Sequence, residues 1–210
     1  MRSPQIHAIM LSKGVIEMLK LRSKIAAYTP CNEQEAADKA LILDFIRKNP
    51  DAFYRTNLVA HMTASAWVVN PARDRVLMVY HRIYDSWSWT GGHADGEEDL
   101  AAVALREVRE ETGVRSARLL SEEIFSLESL TVDGHEKNGA YVPSHLHLNV
   151  TYLLEADDSD PLTVCEAENS GVRWFTLDGA LDASTEPWFV QRIYGKLNEK
   201  LRRTHLVQEG

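Results

Sequence analysis

Glu107, Glu110 and Glu111 stand at relative spacings of zero, three and four in the stretch REVREETGV. On a helix those positions are neighbours along one edge. Three carboxylates held that close repel one another, and a cation relieves the repulsion. Hard divalent ions such as Mg²⁺ take oxygen ligands of this kind. A bound dication reverses the local sign of the site, so an acidic edge can still receive an anionic small molecule.

A second set of residues is rich in imidazole. His61 opens the run HMTAS, and His93 follows two glycines in WTGGH. His145 and His147 alternate in SHLHLNVTYL, a spacing that points both to one face of a strand. Imidazole is the commonest side-chain ligand for transition metals. Convergence of the four would give either a second metal site or a phosphate site. Tyr84, Trp87 and Trp89 flank the acidic stretch, where an aromatic ring could stack on a nucleobase or pack in the core.

The acids need a rigid support, and the sequence around them supplies one. Gly91 to Gly96 forms a glycine-containing loop that leads into a helix, and Gly113 stands where a C′ glycine is expected. Ala101, Ala104, Leu105 and Val108 follow the i, i+3, i+4, i+7 pattern of a core-facing stripe. That stripe is expected to lie beside the acidic edge, so one face packs while the adjacent one presents carboxylates.

The run from Gly92 to Val114 resembles the Nudix box, whose pattern is G-x5-E-x7-R-E-U-x-E-E-x-G-U with U a bulky aliphatic residue. Gly92, Glu98, Arg106, Glu107, Val108, Glu110, Glu111, Gly113 and Val114 match every fixed position. Family members usually carry glycine just before the first glutamate of the box; here Glu97 fills that place and the glycine is Gly96. The resemblance implies an α/β/α sandwich with a mixed β-sheet, in a domain over residues 58–205. It implies a hydrolase that cleaves a diphosphate bond in a small metabolite, with Mg²⁺ or Mn²⁺. Glu107, Glu110 and Glu111 become the metal ligands, with one of them a candidate base, and Glu98 a further ligand directly or through water. Arg106 becomes an orienting partner of a glutamate. Gly91 and Gly92 shape the loop and its approach to the helix. A loop carboxylate further along often assists in this family, and Glu166 and Glu168 are the candidates. No subclass marker for a particular substrate is present.

The histidine positions are also similar to those of isopentenyl-diphosphate isomerase, which shares the Nudix fold. In that family two glutamates occupy the places of His145 and His147, and a cysteine the place of Gly91. Without that thiol the isomerase reaction lacks its acid–base partner. An isomerase-like enzyme and a non-catalytic nucleotide sensor are the alternatives to a hydrolase.

Composition narrows the class. The chain has 210 residues and a formal net charge of −8. No basic run offers a surface for a phosphate backbone, so no stable nucleic-acid partner is expected. Cys31 and Cys165 are the only cysteines and form no CxxC pair, which predicts a reducing, cytoplasmic setting. No apolar run approaches the length of a membrane span, and the start lacks the order of a signal peptide.

Along the chain, helices are predicted over residues 10–26 and 33–47, forming an N-terminal helical extension over 1–57 that caps, packs or mediates a homodimer. Strands are predicted over 58–69, 75–81, 117–127, 146–155 and 172–177, with 86–90 short and aromatic. Residues 131–144 read as a polar loop. A last helix runs from Pro187 to His205 with Phe189, Ile193, Tyr194, Leu197 and Leu201 inward, followed by a tail over 206–210.

Overall fold

The computed structural model describes residues 17–137, 139–167 and 169–208. Residues 10–16 of the first predicted helix lie outside them, and its remainder is helix α1 over 17–27. The other elements are α2 (Glu33–Lys48), β1 (Ala60–Val69), β2 (Arg75–His81), β3 (Ser86–Ser88), β4 (Thr90–His93), α3 (Leu100–Thr112), β5 (Arg118–Leu119), β6 (Ser126–Val132), β7 (His135–Lys137), β8 (Ala140–Val142), β9 (His145–Glu155), β10 (Asn169–Thr176), α4 (Leu177–Ala183), α5 (Pro187–Phe189) and α6 (Gly195–Gln208). A π-turn over Val190–Tyr194 joins α5 to α6. Strands and helices mixed in this way place the chain in the α/β class. Among the described residues the main sheet has eight strands, ordered β10-β2-β1-β9-β5, with β3 beside β2, β4 beside β1 and β6 beside β9.

The residues group into two compact units, and β1, β9 and α3 each contribute to both. The first unit holds residues 1–64, 92–103 and 123–151. In it β6 runs antiparallel to the first part of β9, with Leu130 opposite His147 and Val132 opposite His145. Leu21, Ile25, Ile42, Ile46, Phe53, Met62, Leu127 and Leu148 are buried. Asn32 caps α2 by accepting from the Glu35 N–H. The Glu35 side chain then goes inward: it is fully buried and accepts from Tyr28 Oη at 2.6 Å, the Cys31 N–H at 2.8 Å and Ser126 Oγ at 2.7 Å. Burial and the Glu35 carboxylate push the Tyr28 phenol well above its ordinary range. Ser126 also bonds Glu128, itself fully buried, whose other oxygen accepts from Thr151 Oγ1 at 2.7 Å and Asn149 Nδ2 at 3.1 Å. The N-terminal helices are thus tied to the strands of this unit by a buried polar network.

The second unit holds residues 65–91, 104–122 and 152–210. Here β2 pairs antiparallel with β3 and β10, and β5 with the end of β9. Trp67, Leu77, Val79, Val108, Leu154, Tyr194, Leu197 and Leu201 are buried. Trp67 stacks on Tyr194 with ring centroids 5.5 Å apart.

Several elements differ from the sequence expectation. Strand β1 is buried along its whole length. A central strand covered on both faces shows no inside-outside alternation, and its alanines, threonine and serine fit there because they are small. The strand predicted over 117–127 is reduced to the two residues of β5, with β6 starting at Ser126. The predicted loop over 131–144 contains the end of β6 and the hairpin β7–β8, with Glu136 opposite Tyr141. Helix α4 was not expected, although Thr176 caps it by accepting from the Gly179 N–H. Among the described residues no helix is long and apolar enough to cross a membrane.

Candidate functional site

Helix α3 starts at an Asp99 cap, whose side chain accepts from the Ala102 N–H at 3.1 Å. It ends at Gly113, which has φ +72° and donates its N–H to the Arg109 carbonyl. A Cβ at Gly113 would stand 2.8 Å from the Thr163 side chain, so both conformation and space require glycine. The buried positions of α3 are Leu100, Val103, Ala104, Val108, Glu111 and Thr112. Of the expected stripe, Ala104 and Val108 are buried while Ala101 and Leu105 are half-buried. The stripe is rotated from its expected place and includes one of the acids.

That rotation gives the three glutamates different surroundings. Glu111 is only 4% exposed. Its Oε2 accepts the Gly91 N–H at 3.1 Å, and its Oε1 accepts from Asn169 Nδ2 at 3.3 Å. Glu107 Oε1 accepts from Arg106 at 2.8 Å, and its side chain is 13% exposed. Glu110 is 62% exposed, with Oε1 at 3.9 Å from Arg106 Nε. Arg106 therefore holds one glutamate and leans toward a second. The donor set is all carboxylate oxygen, graded from fixed and buried to exposed. Such a set suits a hard divalent ion.

Asn169 was not singled out by the sequence. It is fully buried at the start of β10, next to a register shift between Asn169 and Gly171. Its Oδ1 is buried with no hydrogen-bond partner, leaving an acceptor beside Glu111. The only sequence signal was position: Asn169 directly follows Glu166 and Glu168, the candidates for a helper carboxylate. Glu166 in that loop is exposed, and Glu168 lies outside the described residues.

Glu98 is partnered by Met18. Its Oε2 accepts the Met18 N–H at 3.0 Å. Burial raises its pKa above the ordinary carboxylate value, against the lowering effect of that bond. Gly92 lies in β4 and Gly96, with φ +89°, in the loop that follows; a Cβ on Gly96 would meet the Tyr54 ring at 2.7 Å. Trp89 is 8% exposed, edge-on to Phe189 and Tyr194, and so serves the core. Trp87 is half-buried, edge-on to Tyr80 and Phe175. Tyr84 stacks on His81.

In the first unit the four histidine rings come together. The His61 centroid lies 5.2 Å from His93, 4.8 Å from His145 and 5.0 Å from His147. His93 is 4.8 Å from His147, and His145 is 5.0 Å from His147. His61 Nδ1 lies 3.1 Å from the Asn57 carbonyl, and His145 Nδ1 lies 2.8 Å from the Pro143 carbonyl. A carbonyl only accepts, so both Nδ1 atoms carry hydrogen. Burial lowers the pKa of His61, and burial with the neighbouring imidazoles pushes His147 down to about 2.

Comparison with known proteins adds to this geometry. A model of the NUDIX domain matches residues 59–194. The CMP-5'-(N-acetyl-N-hydroxy-3-aminopropyl)phosphonate hydrolase of Streptomyces rubellomurinus is 34% identical over 127 residues, which is 57% of this chain and 53% of that protein. The asymmetrical bis(5'-nucleosyl)-tetraphosphatase of Rattus norvegicus is 33% identical over 96 residues, 45% of this chain and 58% of that one. The chain thus spans about half the length of these two curated relatives. A solved C. elegans Ap4A hydrolase binary complex superposes with a TM-score of 0.50 at 19% identity, covering 69% of this chain and 97% of that one. That likeness is one of fold, and it agrees with the α/β/α sandwich expected from the box.

Proposed function

The chain belongs to the Nudix family, and on that premise we propose that it hydrolyses a diphosphate bond in a small metabolite, such as a nucleoside diphosphate linked to a further group. The observation that supports this best is the graded acid edge of α3, with Glu111 fixed by the Gly91 N–H and Asn169 while Glu110 faces solvent.

Glu107, Glu110 and Glu111 are the ligands for a divalent cation, Mg²⁺ or Mn²⁺. Such an ion, when bound, offsets the charge on the diphosphate oxygens and lowers the pKa of a bound water. Glu111 cannot swing, because both its oxygens are already held, so it fixes the position of the edge. Arg106 keeps Glu107 in place and limits repulsion toward Glu110. Glu110, the most exposed of the three, takes the proton of the attacking water. The water oxygen bonds to phosphorus, the bridging P–O bond breaks, and the leaving phosphate carries away the electron pair.

The hydrolase reading is preferred to the isomerase one at a specific atom. Position 91 is glycine, and its N–H serves to hold Glu111. The cytoplasmic setting and the homodimer expected from the sequence belong to this reading too; a monomer by light scattering would remove the second. A panel of diphosphate metabolites incubated in ¹⁸O-water with Mg²⁺ or Mn²⁺ tests the function. Release of a monophosphate carrying ¹⁸O is expected, and no turnover of any compound would contradict the reading.

A further inference from the structure

We propose that His61, His145 and His147 form a transition-metal site in the first unit, built from nitrogen donors and separate in composition from the carboxylate set of α3. The inference stands on the histidine geometry and is independent of the hydrolase reading.

Three observations carry it. One potential ligand atom from each of these residues lies within 4.8 Å of the others. His61 is 4% exposed, and its Nε2 is buried with no hydrogen-bond partner. His145 Nε2 lies 3.2 Å from His147 Nε2.

Tautomers decide what the cluster can receive. Because Nδ1 of His61 and of His145 each donates to a backbone carbonyl, Nε2 in the neutral ring carries a lone pair and no hydrogen. The same bond is the usual outer support of a metal-binding histidine, since it fixes the ring and its tautomer. Two bare nitrogens thus come from β1 and from the start of β9. His147, two residues along β9, points its ring to the same face. An anion at this point would need N–H donors, which the Nε2 atoms of His61 and His145 do not offer in the neutral ring. A cation meets the bare Nε2 of His61 and of His145 at once, and His147 offers a third nitrogen once its Nε2 hydrogen is lost or moved to Nδ1. For zinc at about 2.0–2.1 Å from each nitrogen, tetrahedral ligands stand roughly 3.3 Å apart. The His145–His147 pair is already at that spacing, and His61 closes in from within 4.8 Å.

Neutral imidazole selects the ion class. Zn²⁺, Co²⁺, Ni²⁺ or Cu²⁺ fits such donors, whereas Mg²⁺ prefers oxygen. His93 packs edge-on to His147, at 85° between ring planes, and closes one side of the cluster.

The test uses the full chain, stripped with chelator and titrated with Co²⁺, then Zn²⁺. Intense visible absorption from a low-symmetry nitrogen site is expected on the wild type, bleached by Zn²⁺ and unaffected by excess Mg²⁺. His61→Gln and His147→Ala are each expected to weaken Co²⁺ binding more than about 100-fold, beyond the usual cost of losing an outer support. Glu110→Gln is expected to leave the spectrum unchanged. A wild type with no cobalt spectrum and no metal retained after dialysis would overturn the proposal, whatever the variants do. So would a spectrum that survives in both folded histidine variants, or inorganic phosphate binding to the cluster in its place.

Discussion

At the residue scale, identical side chains are made different by their partners. The placing of Glu107, Glu110 and Glu111 along one helix was legible in the sequence, because a zero, three, four spacing makes them neighbours on α3. Their division of labour was not, since it depends on Asn169 and on Gly91, which reach Glu111 from distant parts of the chain. Asn169→Ala is expected to lower turnover about 10- to 100-fold, as loss of an outer support does at metal sites, with weaker metal binding in the same variant. Unchanged affinity for Mn²⁺ by titration calorimetry would show that the amide does not position Glu111. The histidines give a pH expectation for the metal-free protein. His147 in the unfolded chain takes up a proton as pH falls through its ordinary value of 6.5, whereas the folded ring resists until about 2. The unfolded state therefore gains protons first. This contribution to stability is complete above the ordinary value and is lost as pH falls below it, by at most about 1.4 kcal/mol per pH unit for one group. Urea midpoints of chelator-treated wild type are expected to drop between neutral and mildly acidic pH, and those of His147→Gln to drop less. Equal drops would show that burial of the ring does not govern the acid limb.

At the element scale, strongly periodic segments were read well and weakly periodic ones were not. Helix α2 and strand β2 are close to their expected bounds because composition, caps and period agree. The hairpin β7–β8 escaped because its strands, HEK and AYV, are only three residues long and carry no period. The inward turn of Glu35 escaped for another reason. A glutamate in the first turn of a helix reads as a solvated partner of the helix dipole, and only Ser126, far along the chain, reveals its buried role. Ser126→Ala leaves the two buried carboxyl groups of Glu35 and Glu128 without the hydroxyl between them. A loss of about 2–4 kcal/mol is expected in urea unfolding, and a neutral result would remove the network as a link between α2 and β6. Gly113→Ala is expected to cost about 1–3 kcal/mol for its left-handed backbone, with the Thr163 clash added. Gly139, at φ +77° with nothing within 4 Å, serves as the control. Its alanine variant carries the backbone strain alone and is expected to lose less. Equal losses would mean that the end of α3 yields easily around Thr163.

At the scale of the whole molecule, a chain of net charge −8 is proposed to act on an anion. Electrostatics alone opposes that encounter, so the divalent ion is central to the account. The family was legible because the box is one contiguous run, from Gly92 to Val114, whose acidic end lies on a single helix. Substrate choice was not legible, since the residues that recognise the rest of a metabolite come from loops with no fixed spacing. The most direct measurement is turnover of a cleaved diphosphate metabolite by wild type and by Glu110→Gln at saturating Mg²⁺ or Mn²⁺, with circular dichroism on both. The variant is expected to keep the wild-type spectrum and lose several orders of magnitude in kcat, and wild type is expected to fall silent in chelator. Near-normal turnover by the folded variant, or wild-type activity that survives chelation, would contradict the role given to the acid edge of α3.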